Sequence, residues 1–252
     1  MTLTAGSGPF SEGPLGRFDT PVPASVRFRE PVWPRIRGIF GRETVVDAAH
    51  AQLVWKTGSL AVYRFPADEV RMDLLSPEGD LRVGGRVEPG AARVCDDGLV
   101  EFRWSAMDEW FAEAEQLFGH PRDPYHRIDV YPTARHVRVL LDGELLADSR
   151  RARVLYEAAL PPRWYLPADD VRTELLVPST TLTRCAYKGA ASYWHVRLAD
   201  RLAEDLVWSY PAPQHDAEPV RDRLCFFSEH VDIELDGVTG ERPATQWSSA
   251  RA

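Results

Sequence analysis

Residues 36–75, IRGIFGRETVVDAAHAQLVWKTGSLAVYRFPADEVRMDLL, align without a gap on residues 137–176, VRVLLDGELLADSRRARVLYEAALPPRWYLPADDVRTELL. The offset is constant (137 − 36 = 101), and eleven of the forty positions are identical. The identities concentrate in P-A-D-[DE]-V-R-x-[DE]-L-L and at Asp47 and Asp148. A gapless match of this length points to a tandem duplication, so the chain is read as two copies of one unit. The second halves align more loosely: HRIDVYPTARHVRVLLDG (126–143) resembles DRLCFFSEHVDIELDG (222–237), and DEWFAEAE (108–115) falls opposite DLVWSYPAP (205–213). HVRVLLDG then both closes the first copy and opens the second.

The local pattern inside each copy is β. Val231, Ile233 and Leu235 alternate with Asp232, Glu234 and Asp236, and Trp194, Val196 and Leu198 alternate with His195 and Arg197. Such period-two alternation marks strands with one buried face. Asp-Gly at 142–143 and 236–237 marks tight turns, and four prolines between 161 and 178 preclude a long helix there. SAMDEWFAEAEQLFG (105–119) is ambiguous, with a Ser cap and helical spacing of Met107, Trp110, Phe111, Ala114 and Leu117. Its counterpart WSYPAPQ cannot be helical, so strand is expected at Trp110 with any helix short. The expected layout is a Gly/Pro-rich flexible arm (1–34), a first unit (35–136), a second unit (137–238) and a flexible tail (239–252).

Net charge is −8, which argues against a duplex nucleic-acid surface and against an anionic-membrane anchor. No 18-residue apolar run and no secretory leader pattern occurs. Cys95, Cys185 and Cys225 are odd in number and form no C-x-x-C, so neither a structural metal nor a disulfide framework is indicated. These features lead to the expectation of a cytoplasmic protein with reduced thiols and no metal, cofactor, nucleic-acid or membrane partner.

The segments PPRWYLPADDVRTELL, TRCAYKGAASYW, VWSYPAP and CFFSEHVDI closely resemble the domain-of-unknown-function family four-two-seven, which also carries a nucleotidyltransferase-like label. The resemblance covers about residues 137–237, and HPRDPYHRIDV (120–130) resembles the N-terminal half of the family's tandem form. It implies an all-β fold of two tandem, tent-like domains, each with two sheets meeting at an angle. The zinc-binding cysteine pairs of several proteins with that broader fold are missing here. So is a Gly-Ser phosphate loop followed by paired aspartates, which the nucleotidyltransferase label would require.

Candidate site residues gather in the second copy. Cys185 and Lys188 stand three apart beside Gly189, and the first copy has no C-x-x-K. A thiolate is the nucleophile in cysteine chemistry and a nearby ammonium favours it. The plain alternative is a buried Cys185 with Lys188 solvated in a turn. Glu157, aligned with Lys56, is read either as an acid or base or as a residue on a wet strand face. Asp170 and Arg172 recur as Glu69 and Arg71, which favours a structural ion pair; Arg172 could instead hold an anionic group. Tyr165, Tyr187, Tyr193 and Trp208 could line a flat pocket for a planar ligand. Tyr193 is expected to face outward or into a groove, opposite the apolar set, with Lys188, Tyr165 and Arg172 converging. HPRDPYHR reads as a rigid turn. The functional expectation is a groove in the second copy for a small anionic or planar metabolite, with or without cysteine chemistry; a non-catalytic structural or interaction module is the alternative.

Overall fold

The computed structural model describes residues 3–158, 160–199 and 201–249. Residues 1–2 of the expected arm and 250–252 of the expected tail lie outside them. Two compact units divide the chain, Met1–His126 and Arg127–Ala252.

The first unit contains β1 (Arg27–Pro31), β2 (Ile36–Phe40), β3 (Glu43–Ala48), β4 (Gln52–Lys56), β5 (Val62–Phe65), β6 (Leu81–Val83), β7 (Arg86–Glu88), β8 (Ala92–Val94), β9 (Val100–Phe102), β10 (Glu109–Ala112) and β11 (Glu115–Leu117). They form a five-stranded sheet in the order β1-β4-β5-β9-β8, a four-stranded sheet β11-β10-β2-β3 and the hairpin β6-β7. The second unit contains β12 (Ile128–Pro132), β13 (Val137–Leu141), β14 (Glu144–Ser149), β15 (Arg153–Glu157), β16 (Arg163–Leu166), β17 (Leu176–Cys185), β18 (Gly189–Arg197), β19 (Leu202–Pro213), β20 (Leu224–Phe226), β21 (Asp232–Leu235) and β22 (Val238–Thr239). A seven-stranded sheet runs β12-β15-β16-β20-β19-β18-β17, and a four-stranded sheet runs β14-β13-β21-β22. The fold is all-β: the helical segments among the described residues are short 3₁₀ turns.

The offset seen in the sequence recurs in the elements. The spans β2 to β5 map onto β13 to β16 at 101 residues, as do the 3₁₀ turns 67–69 and 72–74 onto 168–170 and 173–175. Buried and half-buried residues alternate identically along β2 and β13, as period-two patterning requires of a strand packed on one face. Even the register shift recurs, after Gly38 and after Val139. The turns after β13 and β21 hold Asp142, Gly143, Asp236 and Gly237 at positive φ, the conformation that a two-residue hairpin needs to match strand twist.

Two expectations are corrected. HVRVLLDG does not serve both copies: β13 pairs with β14 and β21, all of the second unit. Strand β10 already covers β2 as β21 covers β13, so the first unit closes on its own chain. For the same reason DEWFAEAE corresponds in position to β21 rather than to β19. Trp110 is in a strand, as expected though not through the alignment with WSYPAPQ: β10 pairs with β2, and the Trp110 ring fills the space beside Gly38, where a Cβ would meet Trp110 Cζ3 at 2.9 Å.

Each unit has its own core, built around Ile36, Trp55, Phe65 and Trp110 in the first and around Val139, Leu155, Tyr165 and Val207 in the second. Within 1–34, β1 pairs with β4. The Leu3 N–H donates to Asp123 Oδ2 at 2.8 Å, and the same oxygen accepts the Trp55 Nε1–H at 2.9 Å. Thr4 is buried, and its hydroxyl donates to the Ser59 carbonyl. HPRDPYHR is a turn, closed by Asp123 Oδ1 accepting from the Tyr125 N–H at 2.8 Å.

Candidate functional site

The second unit's large sheet is unusual in what it buries on one face. Residues directly opposite one another in antiparallel strands share a face. Arg153 faces Tyr165, Tyr165 faces Cys225, Cys225 faces Trp208, and Trp208 faces Tyr193. Alternation adds Glu157 to this row on β15, Arg163 on β16, and Cys185 on β17 opposite Gly189. Charged and phenolic side chains therefore line the same surface.

That surface curls on itself. Strands β15 and β18 lie four strand spacings apart in the sheet order, roughly 19 Å if the sheet were flat. Yet the Lys188 ammonium forms a close ion pair with the Glu157 carboxylate. A lysine side chain spans only a fraction of 19 Å, so the sheet must wrap to bring the two ends together. Glu157 and Lys188 then meet at the edge of the row, whose Tyr165, Cys225, Trp208 and Tyr193 belong to the core of the unit.

Lys188 is not the solvated turn residue of the plain reading. Its side chain is 11% exposed and that of Glu157 7%. Ala186 and Tyr187 at the same hairpin tip are also buried, and the Lys188 carbonyl accepts the Gln214 N–H at 3.2 Å. Burial pulls the ammonium pKa down, but the neighbouring Glu157 carboxylate and then Cys185 more than offset it, leaving Lys188 above its ordinary value. Cys185 itself is half-exposed. Tyr165 is fully buried and its hydroxyl accepts the Trp208 Nε1–H at 3.1 Å. Burial drives the phenols of Tyr165 and Tyr210 well above the usual range, and Tyr210 also feels Tyr165, Cys185, Tyr193 and Glu157. These phenols stay neutral and act as hydrogen-bonding groups.

Of the two expected placements of Tyr193, outward or into a groove, its burial opposite Trp208 excludes the outward one. The rule that one face of a strand stays wet fails because β18 is covered on both sides: Gly189, Ala191 and Tyr193 are buried on one face and Val196 on the other. The Tyr193 and Thr183 hydroxyls hydrogen-bond at 2.8 Å.

Asp170 and Arg172 lie apart from this face. Asp170 accepts from the Ser149 hydroxyl at 2.7 Å and from Arg151 Nε at 3.2 Å, and Arg151 holds its carboxyl below the usual range despite partial burial. Arg172 is exposed and ion-paired with Glu144 and Glu174. Together they pin the Pro-Ala-Asp-Asp turn. The structure thus brings together Glu157, Tyr165, Lys188, Cys185, Tyr193 and Trp208, with Tyr187 buried at the same hairpin tip, and leaves out Asp170 and Arg172.

Sequence reasoning missed Arg163 and Glu229. The Arg163 guanidinium is 6% exposed and donates to Glu229 at 2.7 and 2.6 Å and to Ser228 Oγ at 2.8 Å. The signal was present, since an arginine two positions from a core tyrosine in the strand RWYL must share its face. In the first unit Arg64 stands where Tyr165 does, paired with Glu101 and Asp97, while Lys56 is exposed at the position of Glu157. Among the described residues no group of three or more His, Cys, Asp or Glu is placed to hold a metal, and no helix is long and apolar enough to cross a membrane.

No curated protein matches the chain. A family model described as "Domain of unknown function (DUF427)" matches residues 129–237, the span that carries β13 to β21 and the whole of the buried polar face. Over that span, which is less than half of the chain, the second unit is similar to the DUF427 family.

Proposed function

We propose that the second unit binds a small planar or anionic metabolite at the edge of this face, where Glu157 and Lys188 meet. The observation that carries this reading is the buried Lys188–Glu157 ion pair, set at the edge of a face lined by Tyr165, Tyr193 and Tyr210 and next to a half-exposed Cys185. Replacing a buried ion pair by apolar residues of the same volume is often neutral or stabilising, so stability alone is a weak reason for one. Perturbed ionisable groups clustered in a concavity are instead the usual mark of a binding or reacting site. The phenols and Trp208 offer flat apolar area with hydrogen-bonding tips for a planar ligand, and the ammonium offers a charge that an anionic group could share with Glu157.

A second reading, cysteine chemistry, rests on placement: the half-exposed Cys185 ends β17 opposite Gly189, at the hairpin tip that carries Lys188. In that reading the Cys185 thiolate is the nucleophile, with Lys188 beside it and Glu157 taking or giving the proton. We also read the recurrence at 101 residues as a tandem duplication in which the first copy lacks this constellation, and the protein as cytoplasmic with reduced thiols.

A thermal-shift screen of metabolites tests the binding reading, because a ligand of the folded state stabilises by RT ln(1 + [L]/Kd) whether or not it reacts. Ligands of the site should raise the melting temperature of the wild-type chain and fail to do so with Lys188→Met. Hits that act equally on both proteins would place binding elsewhere. Iodoacetamide labelling of Cys185 against pH separates the second reading: a midpoint near the ordinary thiol value of about 8.5, or an inert thiol, removes it.

A further inference from the structure

The part of the polar face around Arg163 and Glu229 is covered by the chain's own C-terminal segment. Beyond β22 the chain turns back, and Arg242 Nε binds Asp232 at 2.8 Å. A tight turn follows in which the Thr245 N–H donates to Ser248 Oγ at 2.9 Å and the Ser248 N–H to the Thr245 carbonyl at 3.1 Å. The Thr245 hydroxyl donates to Glu229 Oε1 at 2.7 Å. His230 Nε2 and the Trp247 carbonyl lie 2.9 Å apart, which fixes the proton on that nitrogen, since the carbonyl can only accept. The half-buried Trp247 ring sits 6.3 Å from Phe227, and the Arg163 guanidinium carbon lies 5.5 Å from the Trp247 ring centre.

Lifting that segment would uncover a recess built from Arg163 of β16, Trp208 of β19 and the turn 227–230 that follows β20. Arg163 and Glu229 form its floor, doubly hydrogen-bonded. Trp208 and Phe227 also approach the guanidinium, at 5.6 and 5.9 Å, and His230 offers an N–H at the rim. A guanidinium ringed by aromatic faces is a binding surface for a further flat ring, and Glu229 retains acceptor capacity for one more donor. The segment supplies both things, a ring from Trp247 and a donor from Thr245. No regular strand or helix holds residues 240–249 to the body of the unit.

We propose that residues 243–248 are a displaceable internal ligand of this recess, and that with the strap lifted the recess accepts a planar aromatic molecule carrying a hydrogen-bond donor. The recess adjoins the Lys188–Glu157 pair, since Arg163 pairs with Leu155, two residues from Glu157 on the same face of β15, while Trp208 is hydrogen-bonded to Tyr165 beside it. The strap then sets whether the Arg163 part of the face is open to ligands.

Chemical rescue tests this in the full chain, with indole as the probe. Trp247→Ala should lower the melting temperature by several degrees, and indole at millimolar concentration should restore at least half of the loss in a saturable manner. The same indole should leave the wild-type melting temperature unchanged, because Trp247 already fills the recess. An unaltered melting temperature in Trp247→Ala, or a loss that indole does not restore, overturns the proposal. Hydrogen exchange on the wild-type chain gives an answer that needs no variant. The amides of 245–248 should exchange through a local opening well before those of β16 and β20, and exchange together with those strands would show that the segment does not lift.

Discussion

Lys188 carries two opposed demands, since burial disfavours its charge and Glu157 restores it. Removing one partner leaves the other as an uncompensated buried charge. Lys188→Met is therefore expected to cost about 3–5 kcal/mol, and Glu157→Gln added to it should recover most of that loss, as urea unfolding of the single and double variants will show. The pH dependence follows from the sign of the shift. The folded-state pKa of Lys188 lies above its unfolded value of about 10.4, so its contribution is complete below that value and is lost as pH rises through the folded one. The double variant should lack this alkaline loss. Much of this was legible in the sequence. Lys188 is one of only two lysines, and Glu157 stands out because its aligned partner is Lys56. Arg172 stood out equally and belongs to a surface turn, because recurrence in both copies marks architecture as readily as function. Which of its two placements Tyr193 takes was not legible, because period-two alternation says which residues share a face but not whether both faces are covered.

At the level of elements, the hairpin of β17 and β18 decides where the site can be. Its tip is buried, and Gly189 adopts φ +92° there, a conformation that other residues take only with strain. A Cβ at this position would also meet the Ala212 carbonyl oxygen at 3.1 Å and the Gln214 nitrogen at 3.3 Å. Gly189→Ala should destabilise the second unit by about 1–3 kcal/mol, measured by denaturant unfolding, and should shift the amide resonances of 186–189 well beyond those of β13 and β14. The long β17–β18–β19 extension is what the first unit lacks. It could be suspected from the loosening of the alignment past residue 176, but the wrapping that brings β18 to β15 depends on pairings distant in sequence, which no local pattern encodes. Strand β10 makes the same point in reverse. Its segment has a helix's cap and spacing, and only its pairing with β2 and the fit of Trp110 beside Gly38 make it a strand, a tertiary override of local preference.

For the whole molecule, the separate cores imply that residues 127–252 form a unit able to fold without the rest. Expressed alone, that segment should unfold in a single cooperative transition by circular dichroism; a broad, non-cooperative curve would show that it depends on residues 1–126. The forty-residue match announced where comparable elements would lie, from β2 to β5 and from β13 to β16. It was silent on the ends, because the ties that fasten them are single hydrogen bonds between residues far apart in the chain. One of these has a consequence for how the protein is made. The tie from the Leu3 amide to Asp123 spans 120 residues. At about 5–20 residues per second of synthesis, Asp123 leaves the peptidyl-transferase centre roughly 6–24 s after Leu3. Through that interval Leu3 lacks this partner, and the segment is held only by ties to nearer residues such as that from Thr4 to Ser59.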